Sequence, residues 1–292
     1  MTLAPAEALH DLAHRHLPPD DAARWIGLLT PGLRLAHAGD GPAAGRLGGL
    51  PELPLDLPWP TWEGHGPLSH IASLDCAALA AAGDCGLALP DSGTLLFFHF
   101  DGRVDGDDSP VDVSDPATRP GAQVLHVPAG TPTRVRPAPP ELPAYPEVPL
   151  TAQAGMTVPA YDAPGLRAAF GKVVDSARWR HHPLNGRLFT KGLIDLDSAP
   201  DDVRHRIGGH PVPVQGAVER EIAQAVLGRP GTSRNDPDLD VEAARWVLLA
   251  QIDTDYAADM MWGDVGTLYW LIRPADLAAG RFDQARFALQ CC

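Results

Sequence analysis

Cysteine is scarce in this sequence. Only Cys76, Cys85, Cys291 and Cys292 occur among 292 residues, and no CxxC pair is formed. So few cysteines exclude a disulfide-rich scaffold, and their spacing excludes the common structural zinc motifs. The first residues lack the basic segment and apolar core of a signal peptide, and no run of about 18 apolar residues occurs. We therefore expect a cytoplasmic protein with reduced thiols and no membrane partner.

Positive charge is also scarce. The chain has 23 basic and 37 acidic residues, a net charge of −14, and its only lysines are Lys172 and Lys191. Proteins that bind nucleic acids need a basic surface, and so do proteins that are attracted to anionic membranes. We expect neither kind of partner. Small molecules and other proteins remain open as ligands.

The familiar catalytic and cofactor motifs are missing as well. There is no HExxH zinc-protease motif and no GxSxG nucleophile elbow. The run from Gly165 to Lys172 has Val173 where a phosphate-binding loop needs Ser or Thr. The glycines at 39 and 41 lead into a proline-rich stretch, where a dinucleotide-binding fold needs a helix. We therefore expect no cofactor and no bound metal.

Glycine and proline, in contrast, are abundant. The chain contains 29 Gly and 31 Pro, well above average usage, which excludes coiled coils, helical bundles and helical solenoids. Five prolines between 51 and 67 forbid a regular helix there. Six more between 137 and 149 predict an extended connector between two parts of the chain.

The apolar pattern between these segments predicts short helices and strands. Helical spacing predicts helices over 5–17, 20–29, 75–83, 164–176, 218–227 and 274–277, with Pro31-Gly32 ending the second of them. Alternating or continuous apolar runs predict strands over 33–37, 69–74, 94–100, 123–127, 133–136, 246–252 and 267–272.

Three motifs recur in the same order in both halves of the chain. A Gly-Gly-x-Pro loop at 48–51 precedes LSHIASLD at 68–75 and GTLLFF at 93–98; a second loop at 208–211 precedes VLLAQID at 247–253 and GTLYW at 266–270. Such repetition predicts duplication. We therefore expect an α+β fold with two similar sheet-containing halves packed together. The predicted units are an N-terminal helical segment 1–38, a first half 39–136, the connector 137–149 and a second half 150–292.

Several of these strings carry a family resemblance. The chain resembles the YwqG-like bacterial proteins of unknown function in five segments. They are GGLPELPLDLPWPTW (48–62), RHRIGGHPVPVQ (204–215), WVLLAQIDTD (246–255), MMWGDVGTLYWLI (260–272) and the closing ALQCC. The resemblance covers roughly residues 40–292. It implies an α+β fold built by duplication, and it implies no particular activity. This chain departs from the family pattern at Ser73, where Gln is frequent.

Acidic residues give two candidate clusters. Asp253, Asp255, Asp259 and Asp264 lie close together in the most distinctive stretch of the chain. Paired carboxylates can serve acid–base chemistry or hold a hard cation, but Asp is also a frequent turn-capping residue. The run from 101 to 115 is rich in Asp and predicts a solvated loop.

Histidines and tryptophans supply the remaining candidates. His205 and His210 flank one glycine loop, without a third ligand nearby to complete a metal site. Trp59 and Trp62 lie among stiff prolines, and Trp262 lies near the corresponding end of the second half. Such rings either stack on a ligand or partner, or pack as a lid between the halves.

The function predicted from these features is non-enzymatic binding of a small molecule or protein in a cleft between the halves. The residues expected at this site are Trp59, Trp62, His210, Gln215, Asp253, Asp255, Trp262 and Asp264. The alternative is an Asp-dependent hydrolase, with or without a divalent cation, centred on Asp253 and Asp264. A purely structural role is a third hypothesis, which predicts a large apolar patch without a cleft.

Overall fold

The computed structural model describes residues 3–37, 43–104, 111–171, 177–196, 203–229 and 236–291. Several sequence expectations therefore lie partly outside the described residues: the glycine run at 39–44, the acidic run at 101–115 and the end of the helix expected over 164–176. The helices are α1 (Ala6–His16), α2 (Pro19–Ile26), α3 (Cys76–Ala82), α4 (Pro164–Phe170), α5 (Arg187–Leu196), α6 (Val218–Val226), α7 (Pro237–Ala243) and α8 (Pro274–Ala278). Within the described ranges, no helix has the length and apolar character needed to cross a membrane.

The strands fall into one large sheet and two small ribbons. The large sheet contains β1 (Thr30–His37), β2 (Ala43–Leu47), β6 (Ser69–Asp75), β7 (Thr94–His99), β8 (Ala122–Val127), β10 (Val148–Thr157), β11 (Arg206–Gly208), β12 (Val247–Asp253), β13 (Thr267–Ile272) and β14 (Arg286–Gln290). The ribbons pair β3 (Glu52–Pro54) with β9 (Thr133–Val135), and β4 (Thr61–Trp62) with β5 (Gly66–Pro67).

The ten strands of the large sheet lie in the order β14-β13-β12-β11-β1-β10-β2-β6-β7-β8. Every neighbouring pair is antiparallel. β1 and β10 form the centre, with their register running from Thr30↔Thr157 to His37↔Leu150. The two sets of recurring sequence motifs lie on strands at equal distances from this centre: β6 and β12, then β7 and β13.

The sheet curls until its two ends nearly meet. Phe97 on β7 and Trp270 on β13 bring their ring centroids to 5.2 Å, although six strands lie between β7 and β13 in the sheet. The main core fills the inside of this curl. The edge strands β8 and β14 therefore lie on either side of the remaining gap.

The continuous apolar run of β13 has a simple cause. Leu268 and Trp270 face the main core inside the curl, whereas Tyr269 and Leu271 pack outside it against Ile222 on α6. Because successive side chains of a strand point to opposite faces, covering both faces removes the usual apolar–polar alternation.

Four helices form a separate cluster beside the central strand β10, whose Met156 packs against it. α1, α2, α4 and α5 pack together around Leu9, Trp25, Leu166 and Phe189. The rings of Trp25 and Phe189 meet edge to face at 5.1 Å. Residues 1–38 thus supply two helices, but also β1 at the centre of the large sheet.

The helix expected over 20–29 ends at Ile26, before Pro31-Gly32, but β1 begins at Thr30 and runs through both residues, so the strand predicted over 33–37 starts earlier than expected. Pro31 pairs with Met156, whose backbone N–H and C=O both bond to Ala4 on the far side. The pair is therefore a non-hydrogen-bonded one, and the missing N–H of proline costs no ladder bond. The sequence pattern also missed β2 and β10, whose glycines and prolines weaken the strand signal.

Candidate functional site

The predicted tryptophans lie in the core. Trp62 and Trp262 are 7% and 2% exposed, and both belong to the main core cluster. The indole N–H of Trp262 donates to the Asp253 carbonyl at 3.1 Å. Trp59 is half-buried, and its indole N–H donates to the Leu68 carbonyl at 2.9 Å. The rings therefore pack within the protein: those of Trp59 and Trp62 contact aromatic residues of the first half, whereas that of Trp262 contacts His99 across the two halves.

Asp253 and Asp264 do not form a carboxylate pair with free oxygens. The Asp253 carboxylate accepts hydrogen bonds from the Arg204 amide at 2.8 Å, the Gln251 side chain at 3.0 Å and the Thr267 hydroxyl at 3.0 Å. Asp264 is exposed. Asp253 thus ties β12 to its neighbouring segments.

Asp255 lies in a different and more unusual environment. It is 1% exposed, and its Oδ2 accepts hydrogen bonds from the ring nitrogens of His37 at 2.6 Å and His205 at 2.9 Å. Its Oδ1 accepts from the amides of Ala257 and Ala258 at 2.9 and 3.1 Å. Burial raises the pKa of a carboxyl, but here the hydrogen bonds from His205 and His37 outweigh it and hold the pKa of Asp255 below its usual range.

These three side chains have the composition of a metal site, since their ligand atoms lie within 4.8 Å of one another. The tautomer of His205 argues against that use. Its Nδ1 accepts the Asp253 amide hydrogen at 3.0 Å, so the proton of the neutral ring must be on Nε2. A protonated Nε2 can donate to Asp255 but cannot bind a metal ion. The cluster is therefore a hydrogen-bonded network that joins β1, β11 and the loop after β12.

Sequence reasoning missed His37, which ends β1 and is 34% exposed at its side chain. Its Nε2 donates to a buried carboxylate that belongs to a residue 218 positions away. A single His at a strand end carries no signal for such a partner, because the contact depends on how β1 and β12 are brought together.

His210 and Gln215 also hold segments of the chain together. His210 Nε2 lies 2.7 Å from the Leu28 carbonyl oxygen and 3.2 Å from the Thr30 hydroxyl. Burial lowers the pKa of His210, which favours the neutral ring. The side-chain amide of Gln215 donates to the Cys291 carbonyl at 2.6 Å. His205 and His210 thus face different partners, although one glycine loop separates them.

The acidic run over 101–115 was expected to be a solvated loop, but its first residue, Asp101, is held by hydrogen bonds within the protein. Asp101 Oδ2 accepts hydrogen bonds from the Ser69 hydroxyl at 2.6 Å, the Tyr145 hydroxyl at 2.7 Å and Arg103 Nε at 3.0 Å. Burial raises the pKa of Asp101, but these hydrogen bonds and the Arg103 charge reverse the direction and lower it. The Tyr145 ring lies 6.0 Å from that of Trp262, so this cluster touches the second half of the chain.

The largest of the described cavities lies in the gap of the sheet. It has a volume of about 580 Å³ and lies between β8 and β14, with α6 at one side. Its walls are mostly apolar and include Val124, Ile222, Phe282 and Phe287. None of the residues predicted for the site lines this cavity.

Two arginines line the same cavity, Arg119 and Arg286. Arg286 shares its face of β14 with Ala288, which packs outside the curl near α6. The Nε atom of Arg286 is buried and has no hydrogen-bond partner among the residues that the structure describes. Burial and the charges of Arg119 and Arg273 lower the pKa of Arg286. The segment ARFALQ (285–290) offered a faint signal, an arginine in an apolar strand of an acidic chain.

Two further cavities lie nearer to the predicted residues. One of about 490 Å³ lies among aromatic side chains, including Trp25 and Trp179, and has Gln215 in its wall. The other, of about 180 Å³, is small and polar, with Gln215, Arg167 and Arg220 in its wall. Both arginines of the smaller cavity are paired with Asp240.

A family model described as a domain of unknown function, DUF1963, matches residues 45–291. No curated protein matches the chain. The matched region leaves out β1 and the first two helices. It contains the other nine strands of the large sheet, although β2 begins just before it. The match agrees with the expected membership of a family of unknown function, without confirming the YwqG-like name. The chain belongs to the DUF1963 family.

Proposed function

We propose that the protein binds a small organic molecule in the cavity between β8 and β14, without catalysing a reaction. The observation that carries this proposal is the cavity itself, about 580 Å³ in volume and walled mainly by apolar side chains. Ligand sites have volumes of about 300–1,000 Å³ and combine apolar walls with a few polar groups. The hydrolase alternative finds less support, because the carboxylate of Asp253 is used by three hydrogen bonds within the protein.

The cavity also fits the cleft expected between duplicated halves. We infer duplication from the strand order, in which β8 and β14 occupy the two ends of the sheet. Local geometry supports it: Arg46 donates to the Leu50 carbonyl at 2.9 Å, and Arg206 donates to the His210 carbonyl at 2.8 Å. The two glycines inside each of these loops all have positive φ values. The ligand would then lie between equivalent edge strands.

We place this function in the cytoplasm. Cys76 and Cys85 are buried and free, and Cys291 is free and half-buried. Burial raises the pKa of the Cys76 thiol to about 11, which keeps it in the unreactive protonated form. Free buried thiols are typical of proteins in a reducing compartment.

A fluorescence titration with N-phenyl-1-naphthylamine, an uncharged apolar probe, tests the proposal. We expect saturable binding at one site per chain. Ala225 on α6 lines the cavity, so Ala225→Trp fills part of the space and should weaken binding at least tenfold. Ala279 is exposed and lies outside the cavity lining, so Ala279→Trp serves as the matched control and should bind as the native protein does.

Two results would contradict the proposal. One is the absence of saturable binding by the native protein. The other is equal affinity of the native protein and Ala225→Trp, which would place the probe elsewhere, for example among the aromatic side chains of the 490 Å³ cavity. Mass spectrometry of an organic extract of the protein, purified from its own cells, then identifies the bound compound.

A further inference from the structure

We infer that the ligand of this cavity is an amphipathic organic acid, whose carboxylate binds between Arg119 and Arg286 while its apolar body contacts the aromatic wall. The inference rests on the proposed function, since it names the chemical class of the ligand at the same site. It is carried by the geometry and pairing of the two arginines.

The first step is that these two arginines are unpaired. Among the residues that the structure describes, no hydrogen bond or ion pair involves the side chain of Arg119 or Arg286. Other arginines near the core are paired with acids: Arg103 with Asp101 at 3.0 Å and Arg273 with Glu242 at 2.6 Å. Arg286 is half-buried and Arg119 is exposed, so it is at Arg286 that the missing anion costs free energy.

The second step concerns the acidic side chains around the cavity. Asp112 and Asp283 line it and are exposed. Asp112 Oδ1 accepts hydrogen bonds from the amide and the hydroxyl of Ser114 at 2.7 and 2.8 Å. Asp283 Oδ2 accepts from the side chain of Gln284 at 2.7 Å. Neither carboxylate forms an ion pair with the two arginines in the described part of the chain. The cavity wall therefore carries two positive and two negative side chains, and neither acid is bonded to an arginine of the wall among the described residues, so both guanidinium groups remain available to a bound anion.

The third step is that other positively charged side chains, Arg119 and Arg273, lie near Arg286. Burial, together with Arg119 and Arg273, lowers the pKa of Arg286, so its charged form is disfavoured in the free protein. A bound anion would remove that penalty. A guanidinium presents a planar set of donors that matches a carboxylate in a two-bond geometry.

The fourth step is the shape and character of the remaining wall. Phe287 and Val124 belong to the main core cluster, and Ile222 belongs to the outer cluster at α6. All three face the cavity. A ligand that is charged throughout would leave this wall without apolar contact, whereas an alkyl or aromatic body would bury it. One charged end and one apolar end therefore fit the site best.

Competition with the bound naphthylamine probe, at pH 7.5 and constant salt, tests this inference. The competitors are decanoate, 1-decanol and decyl phosphate, which share a chain and differ in the headgroup. We expect decanoate to displace the probe from the native protein at a concentration at least tenfold lower than decanol. Decyl phosphate should not displace the probe at a lower concentration than decanoate does.

Variants then locate the headgroup. Arg286→Gln and Arg119→Gln should each weaken decanoate binding at least tenfold, while the affinities for decanol and for the probe stay unchanged. Arg281 is exposed, is paired with Asp276 and lies outside the cavity lining, so Arg281→Gln is the control and should change nothing. Should Arg286→Gln fail to fold, Arg119→Gln at its exposed position carries the test.

The outcomes separate the two claims. If the probe binds and Ala225→Trp removes it, but decanoate and decanol compete equally, the carboxylate inference is overturned and the proposed function stands. Tighter binding of decyl phosphate than of decanoate, or equal loss of decanol and decanoate in Arg286→Gln, also overturns it. Failure of probe binding itself counts against the proposed function.

Discussion

Replacing Asp255 with Asn should destabilise the protein by an amount that can be worked out from its hydrogen bonds. Asp255 accepts four N–H groups, two on each carboxylate oxygen. In one orientation, the amide N–H₂ of Asn faces His37 and His205; in the other, it faces the backbone amides of Ala257 and Ala258. Either orientation places two donors against donors. The His205 ring cannot adapt, because its Nδ1 is already used as an acceptor.

The expected loss at neutral pH is about 3 kcal/mol, since a hydrogen bond to a charged group contributes roughly 1.5 kcal/mol or more. His37 can change tautomer and recover part of this loss, which keeps the value from being larger. Urea unfolding followed by tryptophan fluorescence measures it. Asp264→Asn is the control, because Asp264 is exposed, and it should change the free energy of unfolding by less than about 0.5 kcal/mol.

The pH dependence provides the refuting result. The pKa of Asp255 is lowered in the folded protein, so the stability it contributes is present above the unfolded pKa of about 3.9 and is lost as the pH falls below it. The difference in the free energy of unfolding between the native protein and Asp255→Asn should therefore be smaller by about 1 kcal/mol at pH 3 than at pH 7. The assigned role of the carboxylate would be refuted if this difference in free energy were below about 1 kcal/mol at pH 7, or if it stayed constant down to pH 3.

Two other substitutions have clear expected outcomes. Burial raises the pKa of Glu219 to about 7, so the folded protein loses stability as the pH rises from about 4 to 7. The free energy of unfolding of Glu219→Gln should therefore equal that of the native protein near pH 4 and exceed it by up to roughly 3 kcal/mol at pH 8. Glu63→Gln, at an exposed position, is the control, and the same pH dependence of stability in Glu219→Gln and the native protein would contradict the prediction. Gly208 has a φ of +67°, and an added Cβ would overlap the Cys85 carbonyl oxygen; Gly208→Ala should cost about 3 kcal/mol or more. Gly228→Ala, with a φ of +62° and open space around it, should cost only about 1 kcal/mol, and equal losses in chemical denaturation would show that the contact does not matter.

Local pattern predicted the elements that local interactions determine. The helices at α1, α2 and α6 and the strands β6, β7, β12 and β13 were predicted within a few residues, because apolar period and proline positions are properties of short segments. β10 was missed, since Gly155 and Pro149 weaken its strand pattern. It is stabilised at the centre of the sheet by neighbours on both sides, β1 and β2.

The candidate site depended far less on local pattern. Trp262 and Asp253 stood out in the sequence as candidates for binding, yet the structure uses them for internal contacts. Arg119 and Arg286 were not singled out, because an arginine becomes a candidate anion ligand only when its neighbours are known. The curled sheet places both in the wall of one cavity, and in the described part of the chain neither is paired with an acid.

By itself, the sequence determined the mixed α and β composition, the absence of long apolar helices, the acidic charge and the family of unknown function. Each of these follows from composition or from patterns that span a few residues. The tertiary structure decided which distant residues come together: His37 contacts Asp255 across 218 positions, and Arg119 and Arg286 both line a cavity between the two ends of one sheet. The His37–Asp255 contact requires that β1, β11 and β12 pair side by side in one sheet, and the cavity requires that the same sheet curls until β8 and β14 approach each other.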